Sequence, residues 1–227
     1  SPVYPNDHWQ GAYPTGFYVI PNDYFGIRRA PYSTRMDVNP LSFRHITEGV
    51  PIEGAPLAFG ADGTGNSEVH NVGEVWAEML WEVYAALLNH HDFATAQNRM
   101  KDYVIGGLKM TPASPTFTEA RDGLLAAAMA TDVGDYALAA RAFARRGLGL
   151  HAVAPDRNST DNAGAVEDHV ALAAPVPALE PGVGNVADGF DACDHDGILD
   201  AGETGMLRFS LFNNGAYAPG AAVTVTL

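Results

Sequence analysis

The chain has 227 residues, 47% of them hydrophobic and 18% charged, which allows one sizeable core with a smaller companion and excludes a disordered chain. Its formal net charge of -14 excludes a nucleic-acid-binding surface, because phosphate contacts need a basic face. The single cysteine, Cys193, excludes an internal disulfide framework and a cysteine-based zinc site. No apolar run is long enough to cross a bilayer, and Ser1–His8 has neither the basic start nor the apolar stretch of a signal peptide. A chain opening this way could be mature, processed or cut from a longer one. Its basic residues are arginines apart from Lys101 and Lys109, and an acidic, lysine-poor surface suits a secreted protein.

Residues 1–65 are rich in Pro, Gly, Asn and aromatics. They read as irregular segments with turns, as at Pro5-Asn6-Asp7 and Ala61-Asp62-Gly63. From Glu68 the pattern changes. Val72, Val75, Trp76, Met79, Val83 and Leu87 recur at steps of three and four, which predicts an amphipathic helix to about Leu88. Asn89-His90-His91-Asp92 breaks it, and a second helix is expected over Phe93–Leu108, with Gly106-Gly107 near its end. Thr116-Phe117-Thr118-Glu119 has the form of a capping box, and Ser114-Pro115 offers a competing start; either leads into a helix to Ala130. Asp132 or Asp135 caps a last helix through Phe143, closed by Gly147 and Gly149. The helical period is then lost, and Pro155, Pro175, Pro177 and Pro181 mark a linker. After it the period falls to two. A strand over Thr204–Phe212 and a second around Val223, Val225 and Leu227 would flank the turn Asn213-Asn214-Gly215. Two strands are too few for a stable domain, so the chain either stops inside a β domain or packs the hairpin on its helices.

Three stretches are similar to the fungalysin family of secreted zinc metallopeptidases. They are G-I-R-R-A-P-Y-S-T-R-M-D-V-N-P-L at residues 26–41, V-H-N-V-G-E-V-W-A-E-M-L at 69–80, and S-P-T-F-T-E-A-R-D at 114–122 with its close, R-A-F-A-R-R-G-L-G, at 141–149. The likeness covers roughly residues 20–155. It implies a mainly α fold: a thermolysin-like C-terminal helical lobe over 1–155 with an irregular N-terminal stretch, a linker over 156–181, and an acidic loop with the start of a β-sandwich-like domain over 182–227. It also implies that His70 is the catalytic histidine that donates to the oxyanion formed when zinc-bound water attacks a peptide carbonyl. Arg28 would hold a substrate carbonyl beside the scissile bond, and the adjacent Arg29 is a competing choice. Asp62 and Glu68 are both candidates for the carboxylate that orients His70.

The family's zinc site needs H-E-x-x-H and a further glutamate. None of the eight histidines here precedes a glutamate. The resemblance therefore implies that the zinc ligands lie outside this chain, in an N-terminal zinc-binding half of the same enzyme, and that this chain alone is inactive. Its substrates would be proteins or peptides, and its location extracellular. Two other classes stay open: a non-catalytic binding or structural module with a peptidase-like lobe, and an adhesion or carbohydrate-binding role for the β end.

Other residues are open to plainer readings. Without the resemblance, His70 is a helix-start residue making an ordinary hydrogen bond. Glu74, Glu78 and Glu82 stand four apart and read as a solvated helix face rather than a metal stripe. His90-His91 read as a helix-end pair, since neighbours on a helix point apart. Trp76 and Trp81 read as core, and Asn158-Ser159-Thr160 fits a glycosylation sequon. In D-A-C-D-H-D-G-I-L-D-A-G-E, residues 191–203, an EF-hand-like alignment on Gly197 makes Asp194, Asp196, Asp200 and Glu203 possible calcium ligands, although Ala192 fills the first place. The alternative is a solvated acidic turn.

Overall fold

The computed structural model describes residues 7–58 and 65–174, and the backbone of four short strands further on. The chain divides into two units, Ser1–Leu172 and Ala173–Leu227. The described part of the first unit is mainly helical: α1 (Val69–His90), α2 (Phe93–Met110), α3 (Phe117–Thr131) and α4 (Val133–Arg145). Each begins where a side chain satisfies backbone donors that a helix start leaves open. Asp92 accepts from the N–H groups of Ala94 and Thr95, and Asp132 from those of Gly134 and Asp135. Thr116 and Glu119 form the reciprocal box, so α3 starts there and not at Ser114. After α4 the chain turns at Gly147, whose φ of +84° suits a residue without Cβ.

The apolar stripe of α1 is the core. Val75, Met79, Val83 and Leu87 are fully buried, and Phe43, Ile46, Leu138 and Phe143 from other elements are buried too. The tryptophans sit at its edge, half-buried, with Trp76 stacked 5.7 Å from Phe143 and Trp81 tilted 4.7 Å from Tyr13. Helices α2 and α3 meet at glycines. A Cβ on Gly107 would lie 2.9 Å from the Leu124 backbone nitrogen, and one on Gly123 2.9 Å from the Gly107 carbonyl. Gly107 is thus a point of close approach as well as a residue near a helix end.

The solvated face expected of α1 is instead a buried polar seam. Glu74, Glu78 and Glu82 are each 1% exposed or less. Irregular segments and the end of α4 cover them with cations and amides. Arg29 Nε donates to Glu74 at 2.8 Å. Asn39 Nδ2 donates to Glu78 at 2.7 Å. Arg146, itself fully buried, stands 2.7 Å from both Glu78 and Glu82. Arg145 reaches Glu82 at 3.1 Å. Arg146 also donates to the carbonyls of Ser33, Asn39 and Leu41 at 2.6, 2.6 and 2.9 Å. Periodicity alone places these glutamates on one polar face; it does not show that arginines from distant segments would enclose them.

Part of the stretch whose composition reads as a linker packs on the first unit. Asn162 Nδ2 donates to the Ile46 carbonyl, Arg157 pairs with Glu119, and Val153 bridges Val166. In the second unit the backbone forms β1 (Leu179–Pro181), β2 (Asn185–Asp188), β3 (Gly205–Arg208) and β4 (Leu211–Asn213). The single strand expected over Thr204–Phe212 appears as β3 and β4, and neither pairs with the other. β3 runs antiparallel to β2, and β4 to β1, with Glu180 opposite Phe212. Their described partners lie upstream. Asn214-Gly215 and Val223–Leu227 lie outside the described residues.

Candidate functional site

The N-terminal end of α1 brings Glu68 and His70 together. Glu68 opens the helix. Its Oε2 accepts from the backbone N–H of His70 at 2.8 Å and of Asn71 at 3.2 Å. Its Oε1 lies 2.9 Å from His70 Nδ1. One carboxylate therefore caps α1 and holds the imidazole. A carboxylate at this position also suits the positive end of the helix dipole. The hydrogen bond from the His70 ring in turn holds the Glu68 carboxyl below its usual range. The His70 side chain remains 57% exposed. Asp62, the other carboxylate considered for this ring, lies outside the described residues.

Arg28 and Arg29 differ sharply. Arg29 is 5% exposed and engaged on every side: Nε with Glu74 at 2.8 Å, Nη1 with Asn66 at 2.9 Å, and Nη2 with the Asn71 carbonyl at 3.2 Å. Asn66 passes the connection on to the Thr47 and Val50 carbonyls. Arg29 is a brace that ties residues 26–34 to the first turns of α1. Arg28 is half-buried and hydrogen-bonds the Tyr32 hydroxyl. Burial raises that hydroxyl above its ordinary value, against the opposing pull of the Arg28 charge. The brace thus ties the segment that carries Arg28 to the first turns of α1. Tyr32 also lines an apolar hollow of about 250 Å³ with Ala77, Leu80, Trp81, Tyr84 and Met100.

A second polar centre escaped the sequence reading. Asp135, 1% exposed, receives Tyr103 at 2.5 Å, Arg99 at 2.6 Å and His91 at 2.6 Å. It clamps the end of α1 and the middle of α2 onto the start of α4. His91 belongs to this clamp rather than standing as a helix-end charge. Its partner is 44 residues away, and no local pattern announces it.

Among the described residues, no three His, Cys, Asp or Glu side chains converge as metal ligands. The described residues therefore hold no ligand set for a zinc ion. Asp194, Asp196, Asp200 and Glu203 lie outside the described residues. No helix among the described residues is long and apolar enough to cross a membrane.

Comparison with known proteins gives the family. Residues 3–152 match the family model described as Fungalysin metallopeptidase (M36). Extracellular metalloproteinase 2 of Arthroderma gypseum is 33% identical over 138 residues, which cover 55% of this chain and 19% of the relative. Extracellular metalloproteinase mep of Aspergillus terreus is 34% identical over 145 residues, 58% of this chain and 20% of the relative. Extracellular metalloproteinase 2 of Arthroderma otae is 32% identical over 151 residues, 60% and 21%. The chain thus spans about a fifth of the length of the curated relatives it matches.

Proposed function

The chain belongs to the fungalysin metallopeptidase family, and from that premise we propose that it is the C-terminal part of a secreted zinc-dependent endopeptidase, a thermolysin-like helical lobe whose zinc ligands lie in an N-terminal half outside this chain. Its substrates are proteins or peptides. When bound, the zinc would supply the attacking water; the residues of this chain supply binding and charge stabilisation. His70 is the oxyanion donor. In the imidazolium both ring nitrogens donate; with Nδ1 directed at Glu68, Nε2–H is the donor for the developing negative charge. Arg28 holds a substrate backbone carbonyl with a planar, permanently charged group. The hollow beside Tyr32 forms part of the apolar wall of the cleft. This chain without its zinc half is inactive. The acidic loop at Asp194, Asp196, Asp200 and Glu203 is a calcium-binding turn, by its donor chemistry.

The observation that carries this reading is the double use of Glu68. An ordinary cap needs the backbone contacts alone. Here the same carboxylate also fixes the ring of an exposed histidine, next to the segment that carries Arg28. The test is His70→Ala in the complete polypeptide. Turnover should fall about 10²- to 10³-fold, as expected for loss of one oxyanion donor, while the zinc content stays unchanged. Normal turnover, or loss of zinc, would refute the role. The competing reading, a peptidase-shaped binding module, draws on the missing His-Glu pair. It requires that the native polypeptide contain no H-E-x-x-H at all, which sequencing of the intact secreted protein decides.

A further inference from the structure

Residues 16–26 form a closed, internally hydrogen-bonded loop. Thr15 bridges Gly26, and Thr15 accepts from Ile27 N–H at 2.9 Å. Inside it, Val19 donates to the Gly16 carbonyl at 2.9 Å and Gly26 to the Asn22 carbonyl at 3.0 Å. The Asn22 side chain accepts from the N–H groups of Tyr24 and Phe25. Gly26 has φ +61°, and a Cβ there would run into the Thr15 carbonyl, so the closure depends on glycine. This well-built loop turns apolar side chains outward. Tyr18 is 83% exposed, Val19 65%, Phe17 50%, Tyr24 43% and Ile20 38%. Scattered single exposed residues are normal, but four in a row on an ordered loop mark a surface that is covered.

We infer that this loop is the docking surface for the zinc-binding half of the same polypeptide, which deepens the function proposed above and rests on it. Three observations select that occupant. The matched stretch is only 19–21% of each relative, so a family member has ample chain to cover the loop. Gly26 leads directly into Ile27-Arg28, so the loop borders the residue assigned to the substrate, where the opposite wall of the cleft must stand. The loop carries no cation and one carboxylate, Asp23, in a chain of net charge -14. An anionic lipid surface would need lysines or arginines, and a second copy of so acidic a chain is repelled. An apolar face of a protein segment meets neither objection.

The test is hydroxyl-radical footprinting read by mass spectrometry at Phe17, Tyr18 and Tyr24, on this 227-residue chain and on the complete secreted polypeptide. The three side chains should oxidise readily in the shorter chain and several-fold more slowly in the complete one. Equal rates in both would overturn the inference. So would protection that appears in the shorter chain as its concentration rises, which would assign the loop to a second copy. Protection that needs added phosphatidylcholine vesicles would overturn it in favour of a lipid surface. Peptidase activity of the complete polypeptide is measured separately. A protected loop in a complete polypeptide that cleaves nothing sinks the enzymatic reading and keeps the docking surface; an exposed loop in an active peptidase does the reverse.

Discussion

Replacing Arg146 with methionine tests the buried seam of α1. The guanidinium is fully buried, 2.7 Å from Glu78 and from Glu82, and three backbone carbonyls accept from it. After removal Glu82 keeps Arg145 at 3.1 Å, whereas Glu78 keeps the Asn39 amide at 2.7 Å and the Ser33 N–H at 3.4 Å but no cation among its described contacts. The damage therefore concentrates at Glu78. Breaking a buried pair costs about 3–5 kcal/mol, and orphaned carbonyls add roughly 1 kcal/mol or more each. The sum approaches the total stability of a domain, about 5–15 kcal/mol. Burial already pushes the Glu78 carboxyl well above its ordinary value, with Arg146 as the main opposing pull. Without Arg146 the group stays protonated in the folded state at pH values where the unfolded chain has released its proton. A raised folded value gives stability that is lost as pH rises. The variant should lose less at about pH 5 than at about pH 8, by up to ~1.4 kcal/mol per pH unit between the unfolded carboxylate value and the raised one. The assay is urea unfolding at both pH values, with Glu78→Gln added in a double-mutant cycle. Glu78→Gln should recover several kcal/mol in the Arg146→Met background. Arg146→Lys, which keeps the charge and loses the fork, serves if the methionine variant does not fold. A loss below about 1 kcal/mol, or one indifferent to both pH and Glu78→Gln, would refute Arg146 as the counter-ion.

Two further outcomes follow from geometry. Burial pushes the His45 imidazole down to about 4, and its Nδ1 accepts from Ser42 N–H at 2.9 Å. A lowered folded value means the unfolded chain takes the proton first, so stability falls as pH drops from about 6.5 to about 4, by ~3 kcal/mol in all; urea midpoints of His45→Gln should lack that part of the acid loss, and an unchanged pH slope would count against it. Gly107→Ala puts a methyl 2.9 Å from the Leu124 backbone nitrogen and should destabilise by about 1–3 kcal/mol despite better helix propensity. Gly73→Ala on α1 meets nothing within 4 Å and should stabilise by up to ~1 kcal/mol, so thermal melts of the two variants should move in opposite directions.

The four helices were legible because their signals are local. A period of three and four fixes α1, and the caps at Thr116 and Asp132 are read within three residues of where they act. The pairing at Glu68 and His70 was one of two that the resemblance left open, beside Asp62. What was misread depends on distant partners. Glu74 meets an arginine 45 residues away, and Glu82 one 64 residues away. A polar stripe looks the same in sequence whether water or guanidinium covers it. The β segment also depends on distant partners. The alternation that marks a strand was visible, but β3 and β4 pair upstream, with residues read as linker or loop.

The seam also bears on how His70 could act. The stretches that carry the family resemblance meet on α1: Arg29 on Glu74, Asn39 on Glu78, Arg145 and Arg146 on Glu82. These residues fix the helix along three successive turns. Sliding α1 by one residue moves it about 1.5 Å along its axis and turns it about 100°, which would break every pair in the seam at once. A donor for a transient negative charge must already be in place when the charge forms, because reorganisation at that moment raises the barrier. Glu68 fixes the ring, Arg29 ties the Arg28 segment to the same helix end, and the seam fixes the helix itself. Loosening the far end, at Arg146 and Glu82, should therefore lower turnover in a complete enzyme through the position of His70, with no contact to substrate.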